Sequence, residues 1–161
     1  MFFSLLGLLK RSIKNQVLIL CLQNIMSIEK KYIEELFTDS LPINEKDVVE
    51  ALKPFIIIQR SSKEIFLKNE QKLTVEDKIL AYGLAKKLLK MHGYIENETI
   101  SASEVHKKTG IKKGSVDSAF KSLREKFLFG KGKSYEIPNY KVSEIIKRLQ
   151  KKLQEIERRK K

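Results

Sequence analysis

Residues 101–137, SASEVHKKTGIKKGSVDSAFKSLREKFLFGKGKSYEI, gather the side chains whose types could do chemistry in this chain. They are ammonium groups and small hydroxyls: Lys107, Lys108, Lys112, Lys113, Lys121, Lys131 and Lys133, with Ser115 and Ser118 among them. Ammonium groups neutralise phosphates, and short polar side chains let base edges come close enough to be hydrogen-bonded. Bond-making chemistry finds no comparable set. The chain has no phosphate-cradling glycine loop, no dinucleotide fingerprint, no HExxH motif, and no nucleophile with a histidine and an acid beside it. It is expected to be non-enzymatic. The two histidines, His92 and His106, lack Cys or His partners at ligand spacing, so neither a metal nor a cofactor is expected.

Charge points the same way. Lys and Arg outnumber Asp and Glu by 33 to 20, and the excess is lopsided: residues 101–161 hold 18 basic and 7 acidic side chains, residues 1–100 hold 15 and 13. A lysine-rich composition that merely solvates the surface does not explain this concentration in one half, whereas a polyanion partner does. The single cysteine, Cys21, permits no internal disulfide and fits a reducing, cytoplasmic setting.

These side chains need elements to carry them. Ser101 and Glu104 read as a capping box, the Ser oxygen taking the Glu amide and the Glu carboxylate returning to the Ser amide. Gly110 ends that helix. A second helix is expected over 113–127, with Val116, Ala119, Phe120, Leu123 and Phe127 on one face and Ser115, Ser118, Lys121 and Ser122 on the other. Gly130-Lys131-Gly132-Lys133 then forms the tip of a hairpin over 129–137.

A longer helix precedes them. Thr74 caps it with Asp77 as partner, Ile79, Leu80, Leu84, Leu88 and Met91 form its core stripe, and Gly93 ends it. Lys78, Lys86, Lys87 and Lys90 are expected to solvate its outside, and Glu76-Asp77 to be exposed helix-start and cap positions.

The order of these elements over residues 74–140 resembles the winged helix-turn-helix superfamily of bacterial and archaeal transcription regulators. The resemblance covers under half the chain. It implies a positioning helix, a turn centred on Gly110, a recognition helix and a two-stranded wing. It further implies that Lys113, Ser115, Ser118 and Lys121 face the major groove, that Lys107, Lys108 and Lys112 meet phosphates, and that Lys131 and Lys133 reach out from the wing. Each lysine alone reads equally well as a solvated surface residue; their gathering on one surface favours binding.

The flanks are less specific. Residues 1–25 hold two apolar runs split by Lys10, Arg11 and Lys14, both short of the roughly 20 residues that span a bilayer. The basic residues follow the first apolar run, the reverse of a secretion signal. An amphipathic helix docked on the body, a membrane-surface or partner helix, and a translated upstream segment before a true start at Met26 are all open, the last favoured. Residues 26–73 read as a helix capped by Ser27, a second capped by Asn44 with Val48, Val49, Ala51 and Leu52 buried, and a β-hairpin over 55–59 and 64–68. This region could be a small winged module of its own or a dimerisation element. In residues 141–161, Val142, Ile146, Leu149, Leu153 and Ile156 alternate spacings of four and three, a seam that could pair two copies into a homodimer or pack on its own domain.

The fold class expected is therefore mainly α with short β-hairpins (α+β), a winged helix-turn-helix unit after a small helical and hairpin region. The function expected is duplex DNA binding in transcription regulation. A protein-interaction adaptor built on the same fold is the alternative, and RNA binding a weaker one, since no aromatic stacking platform is evident in the sequence.

Overall fold

The computed structural model describes residues 43–130 and 132–159. The readings made for residues 1–25, for the helix capped by Ser27 and for Lys131 lie outside the described residues. Within them the fold is mainly helical, with five α-helices and one two-stranded antiparallel hairpin.

Helix α1, Glu45–Leu52, follows Asn44 in extended conformation, though the Asn44 side chain makes no capping bond. It buries Val48, Ala51 and Leu52, while Val49, expected inside, points outward. The turn of helix that carries Val48 and Leu52 inward carries Val49 about 100° away from Val48 and about 60° from Leu52. Strands β1, Ile56–Ile58, and β2, Ile65–Leu67, pair in the register Ile56↔Leu67, Ile57↔Phe66 and Ile58↔Ile65. Alternation along the strands buries Ile56 and Ile65 and leaves the opposed Ile57 and Phe66 about half exposed.

Helix α2, Val75–Met91, is the centre of the described fold. Thr74 caps it, accepting the Asp77 N–H at 3.2 Å. Residues 79–85 are buried without interruption, because α1, the hairpin and the two later helices described below all pack around it. This corrects the amphipathic reading of its lysines. Lys87 is buried and pairs with Glu98 at 3.2 Å, and Lys86 donates to the Thr99 carbonyl at 2.6 Å and to Glu104 at 2.8 Å. Packing around the middle of the helix leaves little outer face there, so Lys86 and Lys87 turn onto acceptors while Lys90, near the end, stays exposed as expected. Asp77, read as exposed, is also buried, and Met91, read as core, is exposed while Leu89 takes the inside position. Gly93, at φ +69°, ends the helix as expected.

Helices α3, Ala102–Thr109, and α4, Lys113–Leu123, follow across a tight turn, and α5, Asn139–Arg158, closes the fold against α1 and α2. One apolar core runs from Val48 through α2, α3 and α4 to Leu149. The C-terminal seam belongs to that core. Val142, Ile145, Ile146 and Leu149 are buried, and Leu153 and Ile156 are half-buried against it. This corrects Val142, Ile146 and Leu149 as dimer contacts, since side chains enclosed by their own chain have no surface left for a second copy. No helix among the described residues is long and apolar enough to cross a membrane.

Candidate nucleic-acid interface

The interface is built from α3 upward. Ser101 accepts the Glu104 N–H at 3.2 Å, the first half of the expected box. The second half is replaced: the Glu104 carboxylate takes the Tyr82 hydroxyl at 3.0 Å and Lys86 at 2.8 Å, so it ties α3 to α2 instead of returning to Ser101. Burial, and then the Glu104 charge, push the Tyr82 phenol above its ordinary range, which keeps it a hydrogen-bond donor. Gly110 closes α3 at φ +68°, a conformation that favours glycine. His106 Nδ1 donates to the Ile111 carbonyl at 2.6 Å, so its ring holds the turn between α3 and α4.

Helix α4 then starts without a side-chain cap. Its N-cap residue is Lys112, which offers no acceptor, and the amides of Lys113 and Gly114 have no intrahelical carbonyl to bond. Val116, Ala119, Phe120 and Leu123 anchor its inner face. The outer face is open: Lys112, Lys113, Gly114, Ser115, Ser118 and Lys121 are exposed, and a Cβ placed on Gly114 would meet nothing within 4 Å.

The helix is shorter than the 113–127 expected. Arg124 leaves the helical region at ψ 143° and Glu125 sits at φ +63°, so the chain turns away after Leu123. Phe127 therefore lies outside α4 and half-buried, and Leu128 fills the buried position. The Arg124 guanidinium lies 4.9 Å over the Tyr135 ring, which packs on Phe120 at 5.7 Å.

Backbone bridges organise the next loop. Phe129 and Glu136 exchange hydrogen bonds at 3.0 and 2.8 Å, and Ile100 and Tyr135 do so at 2.7 and 2.9 Å. Residues 135–136 thus run between the segment before α3 and the segment after α4. Gly130 is obligatory here, since a Cβ would meet the Ser134 carbonyl oxygen at 2.1 Å. Lys133 is exposed at the loop end.

Two of the expected contact residues are thereby separated from their neighbours or left undescribed. Lys108 pairs with Glu64 of the first hairpin at 2.7 Å, and that bond raises its pKa, so in the free protein it is engaged by an exposed ion pair that a phosphate would have to displace. Lys131 lies outside the described residues. Lys107, Lys112, Lys113, Lys121 and Lys133 are exposed with no ion-pair partner among the described residues.

Sequence reasoning missed a second cluster behind the open face. Arg148 Nε donates to Asp77 at 2.7 Å and Nη2 to Glu76 at 2.8 Å, while Ser122 donates to the other Glu76 oxygen at 2.5 Å. The Ser122 hydrogen bond, then Arg148, hold the Glu76 carboxyl below its usual range. One ion cluster therefore joins the start of α2, the end of α4 and the middle of α5. Its Glu76, Ser122 and Arg148 line an open groove of about 690 Å³ together with Gly114, Ser115 and Ser118. The signal for it in the sequence was the pair of adjacent acids at a helix start, which spacing alone does not connect to Arg148. Among the described residues no cluster of His, Cys, Asp or Glu could hold a metal ion. Compared with known protein families, with curated proteins and with solved structures, the chain matches none.

Proposed function

We propose that residues 74–140 form a winged helix-turn-helix unit that binds duplex DNA, non-enzymatically and in the service of transcription regulation, with α4 as the helix entering the major groove. The observation that carries this reading is the two-sidedness of α4: four apolar residues anchor its back, while Lys112, Lys113, Ser115, Ser118 and Lys121 lie free on its front. The uncapped amides of Lys113 and Gly114 add to it, because a helix start without a cap suits a phosphate oxygen. The bridges that place residues 135–136 between Ile100 and Phe129 suit a wing, with Lys133 reaching the neighbouring backbone.

The test is gel retardation of genomic duplex fragments at two salt concentrations. Lys107, Lys112 and Lys133 meeting three phosphates correspond to a log–log salt slope of about −2.7, hence an affinity loss on the order of 40-fold between 50 and 200 mM salt. The Lys113→Ala/Lys121→Ala variant, with native circular dichroism, is expected to weaken binding. Absence of retardation at micromolar protein refutes the reading. A protein-interaction adaptor is the second reading, favoured by the half-exposed Ile57–Phe66 pair. Co-purification of a protein partner that survives nuclease digestion would support it over DNA.

A further inference from the structure

Helix α4 carries one carboxylate, and nothing among the described residues pairs with it. Asp117 follows Lys113 by four residues and precedes Lys121 by four, the spacing at which opposite charges commonly pair on a helix. It nevertheless makes no ion pair and no hydrogen bond among the described residues, and its side chain is left half-buried beside the open face. It is the fifth residue of α4, beyond the first turn where the helix dipole rewards an acid. Aspartate is also a poor helix former, so neither pairing, capping nor propensity explains its place. On a face otherwise made of lysine and serine, a carboxylate repels phosphate.

A carboxylate among such groups gains only where it meets a hydrogen-bond donor. In the major groove the exocyclic amino group of cytosine is such a donor, and an acidic side chain is its matching acceptor. We propose that Asp117 is a specificity-determining residue that selects a C·G pair by accepting from the cytosine amino group. This rests on the DNA-binding reading above. Affinity from the lysines is thereby traded for discrimination at one base pair, of about tenfold to a hundredfold against the other pairs.

Selection from a random duplex library, run with the full chain and with Asp117→Ala and Asp117→Asn, tests the assignment. The wild-type site is expected to hold one fixed C·G position. Asp117→Ala is expected to lose that preference alone while binding random duplex more tightly, and Asp117→Asn to move the same position toward A·T, the pair an amide reads. If Asp117→Ala selects the same site with the same preferences and a uniformly higher affinity, Asp117 acts by repulsion only and the assignment is overturned. A wild-type chain that binds duplex with no preference at any position overturns it too, and leaves DNA binding standing. Failure of every variant to retain duplex at low salt removes both.

Discussion

Arg148→Met is the perturbation that best probes how this fold is held, because its guanidinium ties α5 to α2 at the ion cluster that Ser122 of α4 also joins. The thioether keeps the apolar stem near Phe127, 5.8 Å from the guanidinium, and deletes only the charge and its donors. Lost are the 2.7 Å bond to Asp77 and the 2.8 Å bond to Glu76. A fully buried pair broken on one side costs about 3–5 kcal/mol, and an exposed pair about 0–1 kcal/mol. This one lies between. The Asp77 side chain is 5% exposed, but Arg148 is 33% and Glu76 31% exposed. Asp77 also keeps the Thr74 hydroxyl, at 2.7 Å, and so is not left bare. The expected loss is about 2–3 kcal/mol, or on the order of 10 °C in melting temperature.

Urea denaturation followed by circular dichroism reads this directly, and Asp77→Asn supplies the control. If the cost is an unpaired buried charge, Arg148→Met in the Asp77→Asn background should cost at most about 1 kcal/mol. A loss below about 0.5 kcal/mol in the wild-type background would mean that Arg148 behaves as a surface residue. An equal loss in both backgrounds would mean that its packing matters and its charge does not. Either result refutes the reasoning.

Two further outcomes follow from the same region. The folded-state pKa of Glu76 lies below its ordinary 4.5, so its contribution is complete above that pH and fades as pH falls through the lower, folded value. The urea midpoint should therefore drop on acidification below about pH 4.5, and Glu76→Gln should flatten that dependence; an unchanged profile in Glu76→Gln contradicts the assignment. Gly114→Ala should stabilise the fold by up to about 1 kcal/mol, since the position is helical and a Cβ meets nothing. It should at the same time weaken duplex binding, by placing a methyl where the backbone is proposed to approach DNA; undiminished affinity in the retardation assay would remove that role.

Local signals were legible in the sequence and long-range ones were not. The hydroxyl caps at Thr74 and Ser101 and the stops at Gly93 and Gly110 depend on residues within three or four positions of each other, and each is realised, though the returning Glu104 half of the Ser101 box is not. The inner face of α4 was equally plain from the spacing of Val116, Ala119, Phe120 and Leu123. Its end was not, because Phe127 continues that spacing while Arg124 and Glu125 have already turned the backbone away. The α5 stripe shows the limit of periodicity from another side. An apolar residue every three or four positions specifies a helix with something against it, and says nothing of whether that something is the same chain.

Lys107 and Lys108 put the remaining difficulty in its smallest form. They are identical neighbours on α3, both exposed, and no rule of composition or spacing separates them. What separates them is Glu64, 44 residues earlier, which the β1–β2 turn presents to Lys108 at 2.7 Å. The same holds for Arg148, whose acids lie more than 70 residues upstream. Apolar periodicity shows which side of a helix is anchored, and so by elimination which side is open to a partner. Which charges on the open side are already spent inside the molecule depends on the tertiary pairing of distant segments. A basic face read from sequence is therefore an upper bound on the charge a polyanion meets, and on α3 the fold lowers that bound by engaging Lys108.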